Sequence, residues 1–114
     1  MIRTTLILEV QPGHAEQLVA VFRDHGILTA ALAQPGCHSA EIGVTEDGLE
    51  AVVTATWEDA AAYAVWTSRP DREAMAEVIN PHLAVPLGEA TVGRSYRIAY
   101  RPTESDASGT SGTG

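Results

Sequence analysis

Two runs of alternating residues meet at an acid-acid-glycine turn, and no other stretch narrows the choice of fold as much. His38 to Val44 sets His38, Ala40, Ile42 and Val44 against Ser39, Glu41 and Gly43. After Glu46-Asp47-Gly48, Leu49 to Trp57 sets Leu49, Ala51, Val53, Ala55 and Trp57 against Glu50, Val52, Thr54 and Thr56. A period of two belongs to a half-buried strand, and two such runs joined by a short glycine-containing turn predict a β-hairpin.

The flanks supply a strand and a helical region on each side. Upstream, Arg3 to Val10 is rich in β-formers and ends at Gln11-Pro12-Gly13. Leu18, Val21, Phe22, His25, Leu28 and Leu32 then recur at steps of three and four, which predicts one amphipathic helix of about five turns. Gly26 within it costs roughly 1 kcal/mol relative to alanine, and Gln34-Pro35-Gly36 stops it. Downstream, Glu58-Asp59 opens a second helical region marked by Ala62, Tyr63 and Trp66, then by Met75, Val78 and Ile79. Ser68, Pro70 and Asp71 read as a fresh helix start, so this region is two helices or one kinked helix. Asn80-Pro81 closes it, and a connection from Pro81 to Ala90 leads to a last strand, Thr91 to Tyr100.

Strand, helix, strand, strand, helix, strand is the split βαβ order of ferredoxin-like α+β domains, a four-stranded antiparallel sheet with its helices on one face. The other face carries Thr5, Ile7, Val52 and Thr54. A monomer gains little by showing these to water, which predicts a homodimer packed sheet to sheet. The domain is expected to span 1–101, with 102–114, small and polar, as a disordered tail.

Composition bounds the chemistry. The 114 residues support one domain, too small for a multidomain dinucleotide enzyme. The formal charge is −8, from 15 acidic against 7 basic residues, and every basic residue is arginine. Without lysine there is no amine for Schiff-base or pyridoxal chemistry. Without a basic stripe, neither nucleic acid nor an anionic membrane is an expected partner. The single cysteine, Cys37, makes no intrachain disulfide and reads as a small loop residue. No signal peptide is apparent at the N-terminus, and a cytoplasmic location is expected.

Three large aromatics, Trp57, Tyr63 and Trp66, fall within ten residues of one another in a chain that is 5% aromatic. Their spacing fits two readings: ordinary core aromatics, or the wall of a cavity between sheet and helix that takes a flat aromatic ligand. Among the four histidines, His14 at a helix start is expected to be exposed. His25, on the apolar stripe of the first helix, and His38, at a strand start, read as structural histidines or general bases. His82, at the mouth of the long connection, is a second candidate for proton transfer. A metal site from His25, His38, His82 and Glu41 has no supporting spacing, so no metal is expected.

The strand ending Thr56-Trp57-Glu58, the Ala62-Tyr63 pair six residues beyond the tryptophan, and Pro70, Asp71 and Arg72 together resemble the antibiotic biosynthesis monooxygenase family. The likeness is to its small quinone-forming members from aromatic polyketide pathways. Pro12-Gly13 with Glu16 and Leu18, and Pro35-Gly36, support it, and it extends over residues 3 to 100. The resemblance implies a dimeric α/β barrel with one cleft per subunit, no metal or flavin cofactor, and dioxygen as co-substrate. It implies as substrate a polycyclic aromatic polyketide, an anthrone-like phenol oxidised to a quinone. The family's tryptophan and tyrosine correspond to Trp57 and Tyr63; Arg72 and His82 complete the expected catalytic set, and Trp66, Val53, Leu6, His25 and His38 the expected substrate-binding set. Val53 stands where quinone-forming members have asparagine, and Glu77 where they have arginine. Haem degradation, known in the same superfamily, is disfavoured, because the axial histidine would fall near Ala76 and the first-strand asparagine near Leu6. Two alternatives stay open: a polyketide cyclase or isomerase of the same fold, and a non-catalytic dimeric ligand-binding accessory protein.

Overall fold

The computed structural model describes residues 1–88 and 92–102. The expected tail from 103 onward, and Thr91 at the expected start of the last strand, lie outside the described residues.

Four strands, β1 (Ile2–Glu9), β2 (Cys37–Val44), β3 (Glu50–Trp57) and β4 (Val92–Arg97), form one antiparallel sheet in the order β2-β3-β1-β4. The expected hairpin is β2 and β3. Its turn is held by Asp47, whose carboxylate accepts from the Thr45 hydroxyl at 2.7 Å and the Leu49 N–H at 3.0 Å. Helices α1 (Ala15–Asp24), α2 (Ile27–Leu32), α3 (Ala60–Thr67) and α4 (Arg72–Ile79) complete the chain. This is the ferredoxin-like α+β fold. The two central strands come from opposite halves of the repeat, with Ile2 opposite Trp57 and Glu9 opposite Glu50.

Directly opposed residues share a face, so the register fixes what the helices cover. Thr4 and Ala55, Leu6 and Val53, and Leu8 and Ala51 are opposed pairs on that face. The core condenses into two clusters. Leu8, Leu18, Phe22, Ile27 and Ile79 form one; Ala31, Ala55, Trp57 and Trp66 form the other. Met75 packs against both.

The structure departs from the sequence reading in three of its elements, the first helix, β2 and β4. The five-turn helix is two helices, because Gly26 adopts φ +61, a left-handed conformation that ends one helical path and starts another. His25 becomes the residue capping α1 and is exposed instead of lying on an apolar stripe. In β2 the register shifts between Cys37 and Ser39, a bulge that leaves His38 unpaired and exposed rather than on the helix-covered face. Finally, β4 stops at Arg97, short of Tyr100, with Tyr100 79% exposed. Among the described residues no helix is long and apolar enough to cross a membrane.

Candidate active site

A cavity of about 110 Å³ lies in the gap between the two core clusters. Its floor is the sheet: Thr4 and Leu6 of β1, Ala40 of β2, and Val53, Ala55 and Trp57 of β3. Its roof comes from all four helices, with Phe22 of α1, Ile27, Leu28 and Ala31 of α2, Tyr63 and Trp66 of α3, and Arg72 and Met75 of α4. The space exists because alanines stand at 31, 40 and 55, where larger side chains would close it.

Trp57 anchors one end. It is 1% exposed, and its indole N–H donates to the Thr4 hydroxyl at 3.1 Å. Its ring lies 5.5 Å from that of Tyr63 and 6.4 Å from that of Trp66, both tilted, within the range of favourable aromatic pairs. α3, which carries Tyr63 and Trp66, is started by Asp59, whose carboxylate accepts the Ala62 N–H at 2.9 Å. The Tyr63 hydroxyl has no hydrogen-bond partner among the described residues.

The other end is cationic. Arg69 and Arg72 place their guanidinium carbons 5.1 and 5.9 Å from the Trp66 ring centroid, within cation–π reach. Arg69 also forks onto Asp71, with bonds of 2.9 and 2.7 Å. Asp71 begins α4 without capping it. Arg72 pairs with no carboxylate among the described residues. The side chains lining the cavity thus offer hydrogen-bond donors and a positive charge, and none of them is a carboxylate, imidazole or amide.

Trp57, Tyr63, Trp66, Arg72, Val53 and Leu6 of the expected site residues therefore meet around one cavity. His82, His25 and His38 do not line it. His82 lies in a 3-10 turn, Asn80–His82, after α4, with its Nδ1 3.1 Å from that of His14. Its carbonyl accepts the Gln11 N–H at 3.0 Å, and the Gln11 side chain donates to the carbonyls of Pro81 and Leu83. His82 thereby ties the end of α4 to the start of α1, and His14, expected to be exposed, is half-buried against it. Glu77 is exposed on α4. Cys37 opens β2 instead of sitting in a loop; burial pushes its thiol up, with a backbone contact at Ser39 pulling partway back. A thiol that stays protonated is a poor nucleophile. Among the described residues no group of three or more His, Cys, Asp or Glu is placed to hold a metal ion.

Sequence reasoning missed Thr4, Phe22, Met75 and the contribution of α2. Thr4 left one signal: it is the lone polar residue among Ile2, Thr4, Leu6 and Leu8, the alternation that faces the helices.

The family model for antibiotic biosynthesis monooxygenases matches residues 1–78, from β1 to nearly the end of α4. The chain belongs to the antibiotic biosynthesis monooxygenase family. Solved structures of the same fold include Rv0793 from Mycobacterium tuberculosis, 16% identical, covering 90% of this chain and 98% of that one, with TM-score 0.70. A mutant of SnoaB, a cofactor-independent oxygenase from Streptomyces nogalater, is 16% identical over 88% of this chain and 94% of its own, with TM-score 0.68. A conserved protein from Methanosarcina mazei Go1 is 14% identical over 84% of this chain and 90% of its own, with TM-score 0.68. No curated protein sequence matches the chain. At these identities the solved structures share the family's fold, and the family's name describes a monooxygenase.

Proposed function

We propose that the protein is a cofactor-independent monooxygenase that oxidises a polycyclic aromatic polyketide, an anthrone-like phenol, to its quinone with dioxygen as co-substrate. The observation that carries this reading is the unpaired Arg72 charge beside an aromatic cavity whose lining side chains include no acceptor-rich group. Such a lining favours an electron-rich guest that carries negative charge on oxygen. With no carboxylate or imidazole in the wall, the substrate loses its proton to solvent, and Arg72 and Tyr63 hold the resulting oxyanion. Its carbon bonds to one atom of dioxygen, giving a peroxide. The peroxide-bearing carbon then gives up its remaining proton while the O–O bond breaks. One oxygen stays as the quinone carbonyl and the other leaves as water, so no external reductant enters.

At about 110 Å³ the cavity is smaller than the roughly 300 Å³ at which drug-sized ligand sites begin. It has room for one ring at most, and a three-ring guest enters with its outer rings beyond the cavity or with the helical wall displaced. The test is oxygen uptake with dithranol, an anthrone phenol, in buffer containing a chelator and with isotopically heavy dioxygen. One dioxygen consumed and one labelled oxygen retained per quinone is the expected result; a rate equal to the protein-free control overturns the reading.

The same reading includes a cytoplasmic homodimer. One row across the outer sheet face runs Glu41, Thr54, Thr5, Arg94. A two-fold axis along the strands lays this row over its own reverse, Glu41 against Arg94 of the second copy, with Ile7 and Val52 packed between. Sedimentation of the Val52→Asp variant as a monomer is the expected outcome.

Val53 favours a second reading. It puts an apolar side chain on the cavity floor where quinone-forming relatives carry asparagine, which suits a binding protein without turnover. Tight binding of the quinone with no oxygen uptake separates this reading from the first.

A further inference from the structure

We infer that Thr4 is a ligand-binding residue of the cavity, its hydroxyl donating to a carbonyl or oxyanion of the guest, and that Trp57 is the residue that positions it. The inference rests on the cavity being the ligand site and not on oxygenase chemistry.

A threonine hydroxyl has one hydrogen and two lone pairs, whereas an indole nitrogen can only donate. In the 3.1 Å contact between them, Trp57 is therefore the donor and Thr4 the acceptor. This turns a lone pair toward the indole and sends the hydroxyl hydrogen elsewhere. Thr4 is 6% exposed and lines the cavity, and among the described residues its hydroxyl oxygen has no second partner. No main-chain carbonyl among the described residues accepts from it; β1 is a central strand, and Thr4 pairs with Ala55 on one side and Ser95 on the other. Leu6, Val53 and Ala55 flank it with hydrocarbon, and the Ser95 hydroxyl, opposite it on the same face, makes no hydrogen bond with it. The hydrogen accordingly faces the cavity, where an acceptor on the guest would meet a donor already held in direction. That preorganisation is the reason for a buried Trp-Thr bond at a position whose neighbours along the strand face are apolar.

The experiment uses two single-ring probes of nearly equal shape, which ask less room of the cavity than a three-ring guest does. Acetophenone carries a carbonyl acceptor; α-methylstyrene carries a methylene in its place. Dissociation constants for both are measured by titration calorimetry on the full chain and on Thr4→Val, Thr4→Ser and Trp57→Phe. The ratio of the two constants reads the donor, and the hydrocarbon constant alone reads the integrity of the cavity. The expected result is a ketone preference that falls about fivefold or more in Thr4→Val and persists in Thr4→Ser. In Trp57→Phe the hydrocarbon still binds, but most of the ketone preference is lost, because the hydroxyl is free to turn. A preference unchanged in Thr4→Val, or no binding of either probe to the unaltered protein, overturns the inference. Should Thr4→Val not fold, the ratio in Trp57→Phe decides: a ketone preference retained there overturns the inference. Failure of the oxygenase reading shows separately, as absence of oxygen uptake.

Discussion

Arg69 holds both carboxylate oxygens of Asp71, at 2.9 and 2.7 Å. The consequence falls on the next residue. Asp71 and Glu73 flank Arg72 in the chain; with Asp71 engaged by Arg69 and no ion pair from Glu73 to Arg72 among the described residues, Arg72 keeps its charge for the cavity. Arg72→Ala is expected to lower kcat/KM for dithranol by about ten- to a hundredfold, the range of a lost charge-assisted contact to an oxyanion. Arg69→Ala removes no cavity-lining group, yet it frees Asp71 to turn to Arg72. It should therefore lower kcat/KM in the same direction by a smaller factor. Steady-state oxygen uptake on both variants checks the order.

Trp57 fills the centre of its cluster, and Phe in its place leaves both a void and a Thr4 hydroxyl without its donor. Trp57→Phe is expected to destabilise the fold by about 1–3 kcal/mol, in line with large-to-small core changes, and to lower turnover as well. Urea unfolding beside activity separates the two: a stability loss below roughly 0.5 kcal/mol would mean the indole does not hold the cluster together.

Gly36 sits at φ +85, and a methyl group there would meet the Cβ of Ala62 at 2.7 Å. Its carbonyl also accepts the Glu58 N–H at 2.7 Å, locking the β2 entry to the approach of α3. Gly36→Ala is expected to cost about 2 kcal/mol or more through backbone strain and overpacking combined. It should also disturb the placement of Tyr63, next to Ala62 on α3. Thermal unfolding checks the first effect and near-ultraviolet circular dichroism the second.

Asp47 is held below the ordinary carboxylate range, first by the Thr45 hydroxyl and then by the Leu49 N–H. A depressed folded-state value means that the unfolded chain binds the proton more readily, so the stabilisation is present above the unfolded value, roughly pH 4. It is lost as pH falls through the lower folded value. Asp47→Ala should therefore melt below the unaltered protein at pH 7, with the gap closing in strong acid. A gap that widens on acidification contradicts the hydrogen-bonded turn.

The hairpin and the order of elements are legible in the sequence because period-two alternation and turn residues are local properties of the chain. Leu6 and Val53 can be placed together for the same reason, since strands of known face and register bring opposed residues together. The break at Gly26 is not legible. The steps of three and four run on from Phe22 through His25 to Leu28, and nothing in that spacing says that the backbone turns left-handed between them. His25 is misplaced with it, and His38 is misplaced by a bulge that depends on its partner strand. The contact of His14 with His82 joins residues 68 positions apart, and neither side of that pair announces the other. Thr4 leaves a trace in the alternation, but a threonine among β-branched residues reads first as a strand former.

The turn at Gly26 shapes more than a helix boundary. An uninterrupted rod from Ala15 to Leu32 would extend about 27 Å and run off the sheet as a tangent. Bent at one residue that has no side chain, it instead curls over the floor, with Phe22 before the bend and Ile27, Leu28 and Ala31 after it facing the same hollow. Straightening that elbow would strip one side of the hollow without touching any atom of Trp57, Tyr63 or Arg72.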